Sequence, residues 1–260
     1  MTIRIFVGTP ANNEDLECQA VLDHSLKKHA TEELDITWMM LSRDLDSPWY
    51  SGDPHTRSGW NQKTWATPFS ALRWGIPAAC NYEGLAIYMD CDQIAMADIA
   101  ELHRQSIPDG KAFLAKESGG DVVSCVLLMD CARMRYVLPP IETLKNVAGA
   151  YRQARHSIFG AMALYQGDWN CRDGEGCADI HEPHVKVVHY TNIPTQPNHR
   201  LARARLAREG RLHWFNGGDR DHPRQDIQKL FDDTYAEACA AGRGPEVFRV
   251  KPEFGPYGIR

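Results

Sequence analysis

The stretch that decides the fold is Leu85-Ala86-Ile87-Tyr88-Met89-Asp90-Cys91-Asp92. Its first five residues are apolar, with the length and β-propensity of a buried strand. They run directly into two acids separated by one residue. A strand that carries carboxylates at its C-terminal tip presents them where an open α/β sheet binds its ligand. At i and i+2 on an extended edge the acids lie about 6–7 Å apart. That span suits one divalent cation held against a diphosphate, and it makes the chain read as an enzyme.

Upstream, Ile3 to Val7 reads as a first strand, closed by Gly8-Thr9-Pro10 and a loop, Asn12-Asn13-Glu14-Asp15. Cys18, Val21, Leu22 and Ser25 then recur at helical spacing and predict a helix with one buried side. Asp35 to Leu41 reads as a second strand. Strand, helix and strand within about 40 residues form a βαβ unit, hence a parallel pair with a right-handed crossover. Residues 43–63 are polar, with Pro48, Gly52, Pro54 and Gly59 among Trp49, Tyr50 and Trp60. A loop of that length is functional more often than slack; its aromatics either stack on a ligand or close over it, or they pack in the core. Thr67-Pro68 opens a second predicted helix, Phe69 to Trp74, ending near Gly75-Ile76-Pro77.

Downstream, Ala97 to Gln105 predicts a short helix, and Lys111 to Lys116 and Val122 to Met129 two strands. The second of these is almost wholly apolar and so central. Residues 144–164 carry helical material, 166–184 form a loop rich in Gly, Asp, Cys and His, and Val185 to Tyr190 reads as a late strand containing His189. Trp214 to Asp219 reads as a turn. Ile227, Leu230, Phe231, Thr234 and Ala238 mark an amphipathic helix, with Asp221 and Pro223 at its start and Gly242 at its end.

At 260 residues, 43% hydrophobic and 24% charged, the chain can bury a sizeable core. Its net charge of -5 argues against a nucleic-acid binder, apart from the run of Arg200, Arg203, Arg205, Arg208 and Arg211. That run reads as a solvated helix face or as a clamp for a phosphate-bearing acceptor. No apolar run is long enough to cross a membrane, and the N-terminus reads as a strand rather than a signal segment. The expectation is a cytoplasmic protein, and the eight cysteines fit reduced thiols.

Three elements, in order, resemble the retaining glycosyltransferases of family 8. Arg73-Trp74-Gly75-Ile76-Pro77 is similar to that family's Arg-Leu-x-Ile-Pro, Ile87 to Asp92 to its Tyr-Leu-Asp-x-Asp, and Val187-Val188-His189-Tyr190, with Asn192 and Pro197, to its His-x-x-Gly-x-x-Lys-Pro-Trp. The helix Val21 to Leu26 also stands where the family has a Ser-Leu helix. The resemblance spans residues 3–198. It implies a GT-A-like α/β fold, with a mostly parallel central sheet flanked by helices and a C-terminal helical appendage. It implies one domain over 1–260, with a nucleotide-sugar half (1–130), an acceptor half (131–220) and a helix and tail (221–260).

The implied activity is metal-dependent hexosyl transfer from a nucleotide donor, a UDP-sugar, with retention, to a glycan, protein or small-molecule acceptor. Asp90, Asp92 and His189 would hold Mn2+ or Mg2+. Val7, Gly8, Thr9, Arg73, Asp90 and Cys91 would contact the donor. The chain departs from the family at Asn192, which replaces a glycine, at Thr195, where a diphosphate-binding lysine is expected, and at Val123-Ser124-Cys125, where the family has Asn-Ser-Gly. Gln166 and Asp168 only loosely echo its Asp-Gln-Asp, so Asp121, Gln166 and Asp168 are catalytic candidates by position alone.

Other readings of the same residues stay open. Asp90 and Asp92 can be a solvated strand end or a helix cap, His189 a core histidine, and Arg73 half of an ion pair. Cys171, Cys177, His181 and His184 form a legitimate tetrahedral zinc set, a disulfide with two bystanders, or a plain loop. A nucleotidyltransferase is a second class, but its Gly-rich loop is normally basic and Gly8 to Asn13 is not. A sugar-binding protein that has lost catalysis is a third.

Overall fold

The computed structural model describes residues 1–51, 60, 65, 67, 69–147 and 149–253. The described strands are β1 (Thr2–Gly8), β2 (Glu33–Met39), β3 (Leu85–Asp90), β4 (Gln93–Ala95), β5 (Phe113–Ser118), β6 (Asp121–Asp130), β7 (Met162–Leu164), β8 (Cys171–Arg172) and β9 (Val187–His189). The α-helices are α1 (Leu16–His29), α2 (Ile76–Ala79), α3 (Ala100–His103), α4 (Cys131–Met134), α5 (Ile141–Asn146), α6 (Ala150–Gly160), α7 (Asn198–Arg208) and α8 (Gln225–Ala240). The chain divides into two units that interleave along the sequence.

The first unit comprises Met1–Pro10, Glu32–Asp90 and Ala100–Gln166. Its six-stranded sheet has the order β2-β1-β3-β6-β5-β7. β1 runs parallel to β2 and to β3, and β5 parallel to β7, while β6 runs against both its neighbours. The sheet is therefore mostly parallel, as expected. β3 is buried from Ala86 to Asp90, and β6 from Val126 to Met129, which is why both read as continuous apolar runs. The β1–β3 register ends at Gly8 opposite Asp90.

Several boundaries differ from the sequence reading. Gly75-Ile76-Pro77 does not end a helix: a 3-10 helix, Ser70–Gly75, passes directly into α2. Pro77 sits in the first turn of α2, where its missing N–H costs nothing. Residues 144–164 hold part of α5, all of α6 and then the edge strand β7, with Gly149 at φ 81° ahead of α6. The helix expected over Ala97 to Gln105 shrinks to α3. Gly52, Pro54, Gly59 and Pro68 lie outside the described residues. Trp49 and Trp60 are buried, and Trp60 Nε1 donates to the Pro48 carbonyl at 3.0 Å, so these two rings pack in the core.

The second unit comprises Ala11–Thr31, Cys91–Ile99 and Gly167–Arg260. Its sheet, β4-β9-β8, is antiparallel between β4 and β9 and parallel between β8 and β9. α1 packs against β4, α7 and α8. It is buried nearly all round from Leu16 to Leu26, not on one side only. Glu17 and Arg205 explain how polar residues fit there: Arg205 Nε donates to Glu17 Oε1 at 2.7 Å, a buried bidentate pair between α7 and α1. The arginine run is thus partly internal, while Arg208 stays exposed. α8 begins at Gln225 with Arg224, not Asp221 or Pro223, in the capping position, and Gly242 follows its end at φ 71°. Among the described residues no helix is long and apolar enough to cross a membrane.

Candidate functional site

β3 delivers Asp90 at its buried C-terminal end. Asp90 Oδ1 accepts from Tyr88 OH and from Arg73 Nη2, the latter at 3.1 Å. Arg73 is itself buried: Nε donates to the Ser70 carbonyl at 2.7 Å, and Nη1 donates to the Ser124 carbonyl and, at 3.0 Å, to Ser124 Oγ. Its guanidinium carbon lies 4.4 Å from the centre of the Tyr88 ring. Burial works against the arginine's charge, but the Asp90 carboxylate more than offsets it and holds the guanidinium protonated. Burial, reinforced by Asp90, pushes the Tyr88 phenol well up. Arg73 is therefore a buried clamp on Asp90, not a surface charge.

Gly8, opposite Asp90 in the sheet, leaves room for that clamp. A Cβ there would lie 2.7 Å from Tyr88 OH and 2.9 Å from the Phe69 ring. The next residue, Thr9, gives its N–H to the Met39 carbonyl at 2.9 Å, so that amide is not available to a base. Thr9 Oγ1 is buried and makes no hydrogen bond, which leaves a polar atom to serve a ligand. Val7 spends its backbone in the sheet.

The chain passes into the second unit between Asp90 and Cys91. Cys91 is buried and hydrogen-bonded to the Cys18 thiol, whose pKa burial and this contact push up. Asp92 meets His189 at the end of β9: Asp92 Oδ1 and His189 Nε2 are 3.1 Å apart. His189 Nδ1 donates to Asn170 Oδ1 at 2.8 Å. With that proton on Nδ1, a neutral imidazole turns its Nε2 lone pair toward a carboxylate oxygen. Two electron-rich atoms so placed need a cation between them or a second ring proton. The donor set of carboxylate and imidazole fits Mn2+ or Mg2+ with partial imidazole ligation, Mn2+ the better.

Asp92 Oδ2 accepts from Gln196 Nε2 at 2.6 Å, and Gln196 also donates to the Tyr190 carbonyl. The glycine missing at position 192 is not needed, because Asn192 sits at φ -83° and its N–H donates to Asp173 Oδ2 at 3.2 Å. Thr195, in place of the expected lysine, turns its hydroxyl back to the Asn192 carbonyl at 3.0 Å.

The remaining candidates are engaged elsewhere. Asp121 is half of an exposed ion pair with Arg155, at 3.0 Å through Oδ1. Asp168 Oδ1 accepts from the Asn170 N–H at 3.0 Å, holding the turn that presents Asn170. Gln166 is tied through its backbone to the Gln105 side chain at 2.7 and 2.9 Å. Cys171 and Cys177 are buried with their Sγ atoms 3.6 Å apart, but His181 and His184 are exposed, and His184 pairs with Glu182 at 3.5 Å. None of the eight cysteines is in a disulfide. The four-ligand zinc set is not assembled among the described residues.

Asn170 and Gln196 are not marked by the sequence, and Ser124 is marked only as part of Val123-Ser124-Cys125. Asn170 lies in a loop with no periodicity to mark it. Gln196-Pro197 follows His189 with one more residue than the Lys-Pro pairing of the resembling family, so a fixed-spacing comparison stops at Thr195.

No protein-family profile matches the chain, and no curated protein does. Solved structures do. The chain is similar to the bifunctional glycosyltransferase WbbM at 12% identity and a TM-score of 0.58, over 94% of this chain and 52% of that one. It is similar to the galactosyltransferase LgtC, solved with donor and acceptor sugar analogues, at 13% identity and a TM-score of 0.56, over 91% of this chain and 96% of that one. The glycosyltransferase GlyE of Streptococcus pneumoniae TIGR4 follows at 16% identity and a TM-score of 0.52, over 94% of this chain and 64% of that one. The chain thus spans about half of WbbM. These likenesses show the GT-A glycosyltransferase fold.

Proposed function

We propose that the chain is a metal-dependent glycosyltransferase that moves a hexose from a nucleotide donor, a UDP-sugar, to an acceptor, with retention at the anomeric carbon. The observation that carries this reading is the Asp92–His189 pair, two residues past the buried strand β3, in a chain whose fold is that of glycosyltransferases. Asp92 and His189, with Asp90 one residue before Cys91, are the ligands proposed for Mn2+ or Mg2+. Bound there, the ion supplies Lewis acidity toward the departing diphosphate.

The chain's own residues position the rest. Asn170 fixes the His189 tautomer, and Arg73, itself held by Ser124, and Tyr88 hold Asp90 in one orientation. Thr9 Oγ1 is the polar atom at the end of β1 offered to the nucleotide base. Donor binding without turnover is the competing reading, and Gln196 supports it, since its amide rather than a lysine ammonium lies against Asp92. Titration with UDP and Mn2+ tests the proposal. Metal-dependent UDP binding and slow UDP-sugar hydrolysis, both lost in Asp92→Asn, support transfer. Binding without hydrolysis supports the competing reading, and metal-independent binding or none overturns both.

A further inference from the structure

We propose that Asp15, His199 and His213 form a second, buried site in this chain, for one divalent transition cation, with Zn2+ the ion that fits. The carboxylate oxygen and the two imidazole nitrogens lie within 4.8 Å of one another, and all three residues are buried in the second unit. In the sequence Asp15 closes the Asn12 to Asp15 loop and His213 precedes the Trp214 to Asp219 turn. Folding brings them to His199, the second residue of α7.

His199 is the residue that a hydrogen-bond network alone does not explain. Its ring stacks on Phe215 at 5.2 Å and meets His213 edge-on at 4.8 Å. Those contacts use the ring's faces and edge, yet neither ring nitrogen makes a hydrogen bond. A fully buried imidazole with idle nitrogens is costly unless a ligand takes them. Asp15 is equally out of character. It precedes α1 in the capping position but makes no side-chain cap; its carboxylate points to His213 Nε2 at 2.9 Å instead. Glu14 beside it buries both carboxyl oxygens with no hydrogen-bond partner.

The Asp15 carboxylate and the His213 ring are also held from outside, as metal ligands characteristically are. Asn198 Nδ2 donates to Asp15 Oδ1 at 2.9 Å, and Trp214 Nε1 donates to Oδ2 at 2.8 Å. The Phe215 backbone holds the His213 ring in place: its N–H donates to Nδ1 at 3.1 Å and its carbonyl lies 3.3 Å from the same nitrogen, so that Nε2 is the ring atom turned to Asp15. Asp219 Oδ1 lies 3.8 Å from His199 Nδ1, beyond hydrogen-bond distance, so neither nitrogen of that ring is spent on it. Two imidazoles and one carboxylate, dry and anchored, suit zinc or a neighbouring first-row ion rather than Mg2+ or Ca2+. The ion would tie the start of α1, α7 and the segment after it into one body.

The test uses the full chain carrying Asp92→Asn, so that the carboxylate proposed above gives no ligand. Equilibrium dialysis against Zn2+ should leave one ion per chain, and Co2+ loading should give visible d–d bands with no thiolate charge-transfer band. His199→Phe keeps the stack on Phe215 and should fold to the same far-ultraviolet dichroism. It should also weaken Zn2+ binding at least about tenfold to hundredfold, the range produced by losing even an outer partner. No bound Zn2+, an affinity unchanged in His199→Phe, or a thiolate band that places the ion on Cys171 and Cys177 overturns the site. Should His199→Phe not fold, the stoichiometry and spectrum of the Asp92→Asn chain decide alone.

Discussion

Asn170 Oδ1 accepts the Nδ1 proton of His189 at 2.8 Å, and the opposite nitrogen of the same ring faces Asp92 Oδ1 at 3.1 Å. One carboxamide therefore decides which histidine nitrogen carries the lone pair. Because both Asn170 and His189 are buried, water cannot substitute for the amide oxygen without opening the site. Asn170→Ala should lower Mn2+ affinity ten- to hundredfold, as loss of an outer-shell partner does. Asn170→Asp, which keeps an acceptor, should retain most of it. Isothermal titration of Mn2+ in the presence of UDP checks both, and equal affinity in all three chains would remove Asn170 from the site.

The Arg73–Asp90 pair is almost fully enclosed, with side chains 5% and 10% exposed. Removing one partner leaves a buried charge without compensation, which costs about 3–5 kcal/mol. Arg73→Ala should accordingly lower the melting temperature by roughly 10 °C. Arg73→Ala combined with Asp90→Asn should melt higher than Arg73→Ala alone, because the stranded charge is gone. Calorimetry of the single and double variants reads the difference. If the second change brings no recovery, Arg73 is not the partner that holds Asp90.

The sheet and Asp90 were legible for a physical reason: β3 and the buried half of β6 are enclosed, so their sequences are near-continuous apolar runs that end in polar residues. His189 was legible because it ends a shorter run of the same kind. Arg73 was open as half of an ion pair, and its partner is Asp90; a helix position does not disclose which acid its guanidinium turns to. Asn170, Gln196 and the Asp15–His213 contact were not legible at all. They come from loops, or join residues up to 198 apart in sequence, where no local period records the pairing. Of the readings open for Cys171, Cys177, His181 and His184, the sequence could not choose, because four residues close along a loop need not converge: the two cysteines are buried and the two histidines face solvent.

Gly8 is a spacer for the Tyr88–Asp90 hydrogen bond. A methyl group there meets Tyr88 OH at 2.7 Å, and forcing such a group into a packed interior costs about 1–3 kcal/mol. Gly8→Ala should destabilise by that amount. In a Tyr88→Phe background, where the clashing hydroxyl is absent, the same change should cost less, giving a coupling of about 0.5–3 kcal/mol between the two sites. Urea unfolding of the four chains of the cycle measures it. Strict additivity would show that the hydroxyl is not what Gly8 accommodates.

The titration of the Cys80 thiol is set by a neighbouring thiol. A hydrogen bond from Cys131 brings its pKa down from the ordinary 9.0 to about 7, burial opposing and the Arg4 charge assisting. Cys131, as the partner that keeps its proton, is pushed well up. A depressed acid contributes stability that is present above the unfolded pKa and is lost as pH falls through the folded value. For Cys80 the loss runs from pH 9.0 down through about 7. Ultraviolet thiolate absorbance of the native chain should therefore rise in a first step centred near pH 7, and Cys80→Ser should remove that step. Cys131→Ala deletes the donor and should move the step up toward the ordinary thiol range. A chain whose first thiolate appears only in that range, with or without Cys131, would mean that the two sulfurs do not share a proton in solution.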